Sequence, residues 1–277
     1  MKHPLGGKQR WTGVAILHPF PSLLVTATFL SVVWIALHAM PSALLCLRLI
    51  GVMLPAQFAI GVVNDLADRN SDRIAQPWKP LVMGAISVPF AWFLSLVFVT
   101  VSLAVALSLG VPTLFWTGVG LAAGLGYDLG WKRSLFSWLP WALGFVALPA
   151  TAFATVGRFP SAMISLTVIA AFLAVGLHCA NALPDIDGDR ATGIASFPAR
   201  LGADRTRFSA MFFAVFAAIS SMVALPRTGT TGLATLIGAS SLILVAITLA
   251  VVGIRRPFPI QSVASAVFAT LCLVAVA

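Results

Sequence analysis

Nine apolar stretches of about 20 residues each, none of them alternating apolar with polar, fill almost the whole chain. They run roughly over 20–40, 43–64, 87–109, 111–128, 136–156, 160–183, 207–225, 229–253 and 257–276. Proline, glycine or charge marks the breaks, at Pro41, Pro77 to Pro80, Gly110-Val111-Pro112, Lys132-Arg133, Phe159-Pro160 and Arg255-Arg256-Pro257. In lipid every backbone polar group needs a partner within the protein, which leaves only helices or a closed barrel. Runs of this length without alternation read as helices. Only 9% of the residues are charged and the mean hydropathy is +1.01, whereas a soluble domain carries about 25% charge. The expected fold is therefore all-α: a polytopic membrane protein, a nine-helix transmembrane bundle, with residues 1–277 as a single transmembrane domain.

Basic residues set the expected orientation, because they favour the cytoplasmic loops. With the N-terminus inside, the inner segments hold Lys2, Lys8, Arg10, Arg69, Arg73, Lys79, Lys132, Arg133, Arg190, Arg200, Arg205, Arg207, Arg255 and Arg256, which is 14 of the 17 basic residues. Arg158 and Arg227 fall outside and Arg48 lies within the second span. The net charge of +9 thus reads as topology. Dispersed over membrane loops, it does not suit nucleic-acid binding. Met1 to Trp11 are too short and polar for a cleaved signal peptide, so none is expected. Cys46, Cys179 and Cys272 lie inside predicted helices, without metal spacing, and read as packing residues.

Against this background the acids stand out. All eight are Asp, and six of them form two clusters in register. Asn64, Asp68 and Asp72 map onto Asn181, Asp185 and Asp189 by an offset of 117 residues. Four spans separate the clusters, an even number, so both are expected at one membrane face. The offset fits an internal repeat of helices 1–4 against 5–8 with the ninth appended; convergence on the same ligands is the other explanation. The i, i+4, i+8 spacing drifts only about 40° per step on a helix, so a helix continuing through each cluster would line one face with an amide and two carboxylates. Such hard oxygen donors suit Mg²⁺, which keeps waters and shares its shell with substrate phosphates. The plainer reading is a set of solvated acids at helix ends.

Basic groups accompany the acids: Arg73 after Asp72, Arg190 after Asp189, Lys79 in the loop beyond, and Lys132 and Arg133 after helix 4. Each is either a donor to an anionic group bridged by Mg²⁺ or simply a positive-inside residue. Tyr127, the only tyrosine, precedes Lys132. It reads as an interfacial belt residue, or as a donor to phosphate that could also face a carbocation. Asp128 admits three roles: general base, further metal ligand, or a helix-end charge paired with Lys132. Arg48 is either a cavity-facing charge or a residue snorkelling to the outer leaflet. His178, three residues before Asn181, is a core histidine or points into the same cavity.

The segment Asn64-Asp65-Leu66-Ala67-Asp68-Arg69-Asn70-Ser71-Asp72 resembles the first signature of the UbiA superfamily of intramembrane prenyltransferases. Asn181, Asp185 and Asp189 resemble the second, with Asn181 where the family places Asp. Lys79 to Ser87, Gly188 to Gly193, Phe197 to Gly202 and a Tyr followed closely by a Lys are also family-like. The chain departs from the pattern in lacking an Arg within Leu17-His18-Pro19-Phe20-Pro21. The resemblance implies Mg²⁺ at Asn64, Asp68, Asp72, Asn181, Asp185 and Asp189, and a prenyl diphosphate held by Lys132, Arg73, Lys79, Arg190 and Arg48. It implies Lys132, Tyr127 and Asp128 in catalysis, transfer of the isoprenyl group to a hydrophobic or aromatic acceptor, and a tail lying between helices in the lipid bilayer. Acceptors of tetrapyrrole or glycerophosphate type are also open. The alternatives are an intramembrane terpene cyclase on the same site and, from another class, a secondary transporter, which would need ionisable or broken-helix features at mid-depth in both halves.

Overall fold

The computed structural model of the chain describes residues 13–191, 193–225, 229–254 and 256–274. Lys2, Lys8, Arg10, Thr192, Arg227 and Arg255 lie outside the described residues. Among those described there are helices and turns and no strand. Nine long helices answer to the nine apolar stretches: α1 (Pro19–Leu37), α2 (Ala43–Ala75), α3 (Val88–Leu109), α4 (Val111–Leu129), α5 (Trp138–Val156), α6 (Met163–Ala182), α9 (Ala203–Ala224), α10 (Gly229–Val252) and α11 (Phe258–Val274). Two short helices, α7 (Ile186–Ala191) and α8 (Phe197–Leu201), are additions that the apolar pattern could not show.

Local chemistry sets the boundaries. Ser42 caps α2 by accepting from the Leu45 amide, and Ser87 caps α3 by accepting from the Phe90 amide. Gly110, at φ 125°, makes the tight turn between α3 and α4, a conformation that side chains disfavour.

Among the described residues seven helical segments have the length and apolar character of membrane spans; α11 is apolar but shorter, and α4 is not one of the seven. The outward surface carries large exposed hydrophobics, including Leu23, Trp34, Phe93, Leu96, Phe115, Leu244 and Val251. An outer surface this apolar matches lipid, not water.

Each long helix packs on the next and α11 closes back on α1, so the nine form a ring, with α1–α5, α2–α4 and α6–α11 contacts across it. The core joins α1, α2, α5, α6, α9, α10 and α11 through Phe29, Leu49, Phe153, Leu173, Ala217, Leu242 and Phe268. Gly176 lets α6 and α9 close up, since a Cβ there would stand 3.1 Å from the Ala210 carbonyl oxygen. The neighbours repeat in order: α2 packs between α1 and α3, and α6 between α5 and α9.

The length of α2 matters most for function. Its 33 residues at 1.5 Å each span about 50 Å, against about 30 Å of bilayer hydrocarbon. The helix therefore does not stop near 64, as its apolar stretch does, but carries the first acidic cluster out beyond the hydrocarbon. The second cluster differs. Helix α6 ends at Ala182 and Leu183–Asp185 form a 3₁₀ turn before α7. The expectation of one continuous helical face thus holds for Asn64, Asp68 and Asp72 and is corrected for Asn181, Asp185 and Asp189. Pro184 supplies the reason: its ring and missing N–H interrupt the i→i−4 ladder.

Candidate functional site

Both acidic clusters, the end of α4 and the start of α1 lie at one end of the ring. Asp65 is 1% exposed and is held from two sides. His18 Nε2 approaches its Oδ1 at 2.9 Å and Lys79 Nζ approaches the same oxygen at 2.8 Å. His18 reaches Asp65 because it sits at φ 47° at the start of α1 and because Gly61, one turn before Asp65, leaves room for its ring; a Cβ at 61 would stand 3.0 Å from it. Lys79 also donates to Asp72 Oδ2 at 2.8 Å. Burial alone would pull the Lys79 ammonium down, but the hydrogen bonds and charges of Asp65 and Asp72 more than offset this, and its pKa is raised above the ordinary lysine value.

A second network lies beside the first. Lys132 Nζ donates to Asp68 Oδ1 at 2.6 Å and stands 3.9 Å from Asp128 Oδ1. Asn64 Nδ2 donates to that Asp128 oxygen at 2.8 Å. Asp128 is buried and its other oxygen, Oδ2, has no hydrogen-bond partner. Such an orphaned carboxylate oxygen is costly unless something meets it. Asp128 is thus hydrogen-bonded to Asn64, with Lys132 farther off at ion-pair distance.

The second cluster closes on the first electrostatically. Asp185 feels the charges of Arg256, Asp68, Asp72 and Lys79, and Asp189 those of Asp185, Asp68 and Lys132. Asn181 is half-buried at the end of α6. Tyr127 is half-buried near the end of α4. Its ring meets Trp141 edge-on at 6.0 Å and His178 at 5.9 Å, and Trp141 also packs on Phe145 and Phe258. His178 is buried one turn before Asn181, with Nε2 2.9 Å from Ser137 Oγ and Nδ1 unpartnered. Tyr127, Trp141 and His178 therefore form an aromatic cluster beside the acids.

Not every basic residue joins this constellation. Arg190 donates from Nε to the Ala199 carbonyl at 2.6 Å and from Nη2 to the Arg200 carbonyl at 3.4 Å, which fastens α7 to α8. Arg73 is exposed at the end of α2. Arg48 is exposed near the start of α2, some 24 Å of helix from Asn64. Conversely, His18, Asp65, Trp141 and Arg256 belong to the site although nothing in the cluster spacing singled them out. Only the local signature around Asp65 carried a hint.

The donor set fits a hard divalent cation. It offers the carboxylate and amide oxygens of the two clusters, gathered at one end of the ring. Among the described residues no three His, Cys or Asp side chains converge on one point. Each cluster would therefore contribute a few oxygens, with water and substrate oxygens completing the shell, as suits Mg²⁺.

Residues 23–275 match the model of the UbiA prenyltransferase family. The chain is 30% identical over 169 residues to the bacteriochlorophyll synthase 33 kDa chain of Rhodobacter capsulatus, covering 55% of each chain. It is 32% identical over 165 residues to digeranylgeranylglyceryl phosphate synthase of Natronomonas pharaonis, covering 57% of this chain and 58% of that one. The chain thus matches a little over half the length of these relatives. The whole fold resembles a UbiA homologue from Archaeoglobus fulgidus solved with DMAPP and Mg²⁺, at TM-score 0.74 and 17% identity over 95% of this chain and 99% of that one. It also resembles a UbiA homologue from Aeropyrum pernix, at TM-score 0.70 and 20% identity over 88% and 94%. A family match over nearly the full ring, joined to two acidic clusters that meet at one end of it, leads to one conclusion: this multi-pass membrane chain belongs to the UbiA prenyltransferase family.

Proposed function

We propose that residues 1–277 act as one transmembrane domain, a Mg²⁺-dependent prenyltransferase that moves an isoprenyl group from a prenyl diphosphate to an aromatic acceptor. The observation that carries this reading is the meeting of both acidic clusters with Lys132 at one end of the ring, beside the aromatic cluster of Tyr127, Trp141 and His178. A UbiA homologue from Archaeoglobus fulgidus, solved with GPP and Mg²⁺ and again with DMAPP and Mg²⁺, shares the fold, and a glycinol 4-dimethylallyltransferase from Glycine max is 32% identical over 165 residues, 52% of this chain and 39% of that one.

In this reading Asn64, Asp68, Asp72, Asn181, Asp185 and Asp189 hold the metal. Divalent ions bound there would neutralise the diphosphate's charge as it leaves. Lys132 gives charge-assisted hydrogen bonds to the same diphosphate, which strengthen as its charge grows. When the allylic C–O bond breaks, its electron pair leaves with the diphosphate. The allylic cation faces Tyr127 and Trp141, shielded from water and stabilised by the ring faces. A carbon of the acceptor ring forms the new bond to the allylic carbon, and Asp128 Oδ2 takes the proton the ring gives up. The isoprenoid tail lies between helices, open to lipid.

The transporter alternative gains no support: α2 and α5 carry Pro55 and Pro149 yet run unbroken, and Arg48 lies towards the far end of α2. Incubating the purified protein with labelled prenyl diphosphates of several lengths and a panel of aromatic acceptors should yield a labelled, prenylated acceptor. Labelled cyclic hydrocarbon in place of it would favour a cyclase, and consumption of no donor at all would defeat the proposal.

We place the protein in the cell membrane with its N-terminus and site cytoplasmic, an orientation that the positive-inside pattern supports. Single-cysteine variants at Ser71 and Ser134, made in a chain lacking its own cysteines, should resist an impermeant thiol reagent in intact cells and react after lysis. Reaction in intact cells would reverse the orientation.

A further inference from the structure

We propose that Lys79 is the resident counter-cation of the first acidic cluster, and that a divalent ion gains Asp72 only by displacing it. The inference rests on reading the cluster as a cation site, and it assigns Lys79 a role other than diphosphate ligand. The geometry separates the two lysines of the site. Lys79 Nζ lies between two carboxylates that are themselves shut off from solvent, 2.8 Å from Asp65 Oδ1 and 2.8 Å from Asp72 Oδ2, with side chains 1% and 6% exposed. The partner of Lys132, Asp68, is 26% exposed and so is open to an incoming anion or cation.

The loop that carries Lys79 is pinned and not free to swing. Pro80 is buried, and Leu81 packs into a core with Ile16, Val62 and Ala91. The ammonium is therefore delivered to the cluster by the fold. Asp65 and Asp72 are two turns apart on one helix and repel each other when both are ionised. An ammonium between them offsets that repulsion, and charge-assisted bonds to it are strong at this burial.

The same bonds oppose a metal. A divalent ion on the Asp72 oxygen that Lys79 now holds would stand beside a like charge. Asp65 keeps the lysine when Asp72 releases it, because Asp65 is itself fixed by His18 at 2.9 Å. Asp65 and His18 are then positioning residues: they park the displaced ammonium close by and keep it poised to return. Cation affinity at Asp72 becomes a contest between a tethered monovalent charge and a free divalent one.

The test is direct Mn²⁺ binding to the purified full chain in detergent, without donor, read by the EPR signal of free Mn²⁺ and by metal-induced thermal stabilisation. Lys79→Gln alone leaves Asp65 with only His18 and can fail to fold, so the decisive variant is the double substitution Asp65→Asn with Lys79→Gln. It leaves the summed charge of the cluster unchanged yet removes the competitor from Asp72. The double variant should bind Mn²⁺ about tenfold more tightly than the original chain. Arg133→Gln, which removes a basic charge at the same end of the bundle, should stay within about twofold of it. Binding by the double variant that equals or falls below the original would overturn the inference, as would an equal gain in Arg133→Gln, which would reduce the effect to long-range charge. If neither the original chain nor any variant binds Mn²⁺, the cation reading of the cluster fails and this inference fails with it.

Discussion

Replacing either Asp68 or Asp185 with Ala is expected to abolish turnover while the protein stays folded in detergent. The two residues come from different halves of the chain, yet the charge of Asp68 acts on Asp185 across the end of the ring. A diphosphate carries more negative charge than the oxygens of one cluster can bring cations to neutralise, so neither cluster suffices alone. Both sit in polar segments beyond the apolar core, so loss of one carboxylate should leave the bundle intact. Turnover above about a tenth of the original rate in either variant, a loss under ~1.4 kcal/mol, would count against joint action. Thermal melting of the same preparations separates lost chemistry from lost fold.

Lys132→Gln should lower kcat/KM by about a hundredfold, the scale of losing one preorganised donor to a developing anion. Its ammonium stands 2.6 Å from Asp68 and 3.9 Å from Asp128, where the two clusters meet. A lysine that merely anchored the protein to lipid headgroups would tolerate glutamine. Arg133→Gln should be mild. A helix continuing past Tyr127 through Lys132 would turn Arg133 about 100° away from it. In the structure α4 stops at Leu129 and Trp131–Arg133 form a separate 3₁₀ turn. The contrast survives for another reason: Lys132 is half-buried in the acidic site and Arg133 is exposed. Equal, small effects of both substitutions would return Lys132 to an anchoring role.

The fold was legible because lipid leaves so few solutions. Apolar stretches bounded by proline and glycine become helices, and each of the nine has its counterpart. What the pattern could not show was how far a helix continues once its residues turn polar. Helix α2 runs past Asn64 to Ala75, and apolar character says nothing about that extension. The acids were legible as a site because the chain carries almost no acid elsewhere. Their partners were not. His18 and Asp65 meet across 47 residues of sequence, and the contact depends on a left-handed residue and the space left by Gly61, neither of which has a signature in composition. Arg190 misleads for a related reason. It follows an acid in sequence, but its guanidinium serves the carbonyls of α8. Trp141 was one of eight tryptophans, and only packing distinguishes it as the hub around Tyr127 and His178.

The central claim is that the two clusters hold divalent cations for breaking an allylic diphosphate. It is tested most directly by measuring diphosphate release from a labelled prenyl diphosphate by the purified protein while free Mg²⁺ is titrated from EDTA upward. The account predicts no release in EDTA, a rise with Mg²⁺ to saturation, and no comparable rise when Asp68 or Asp185 is replaced by Ala. Release in EDTA equal to that in Mg²⁺ would contradict it.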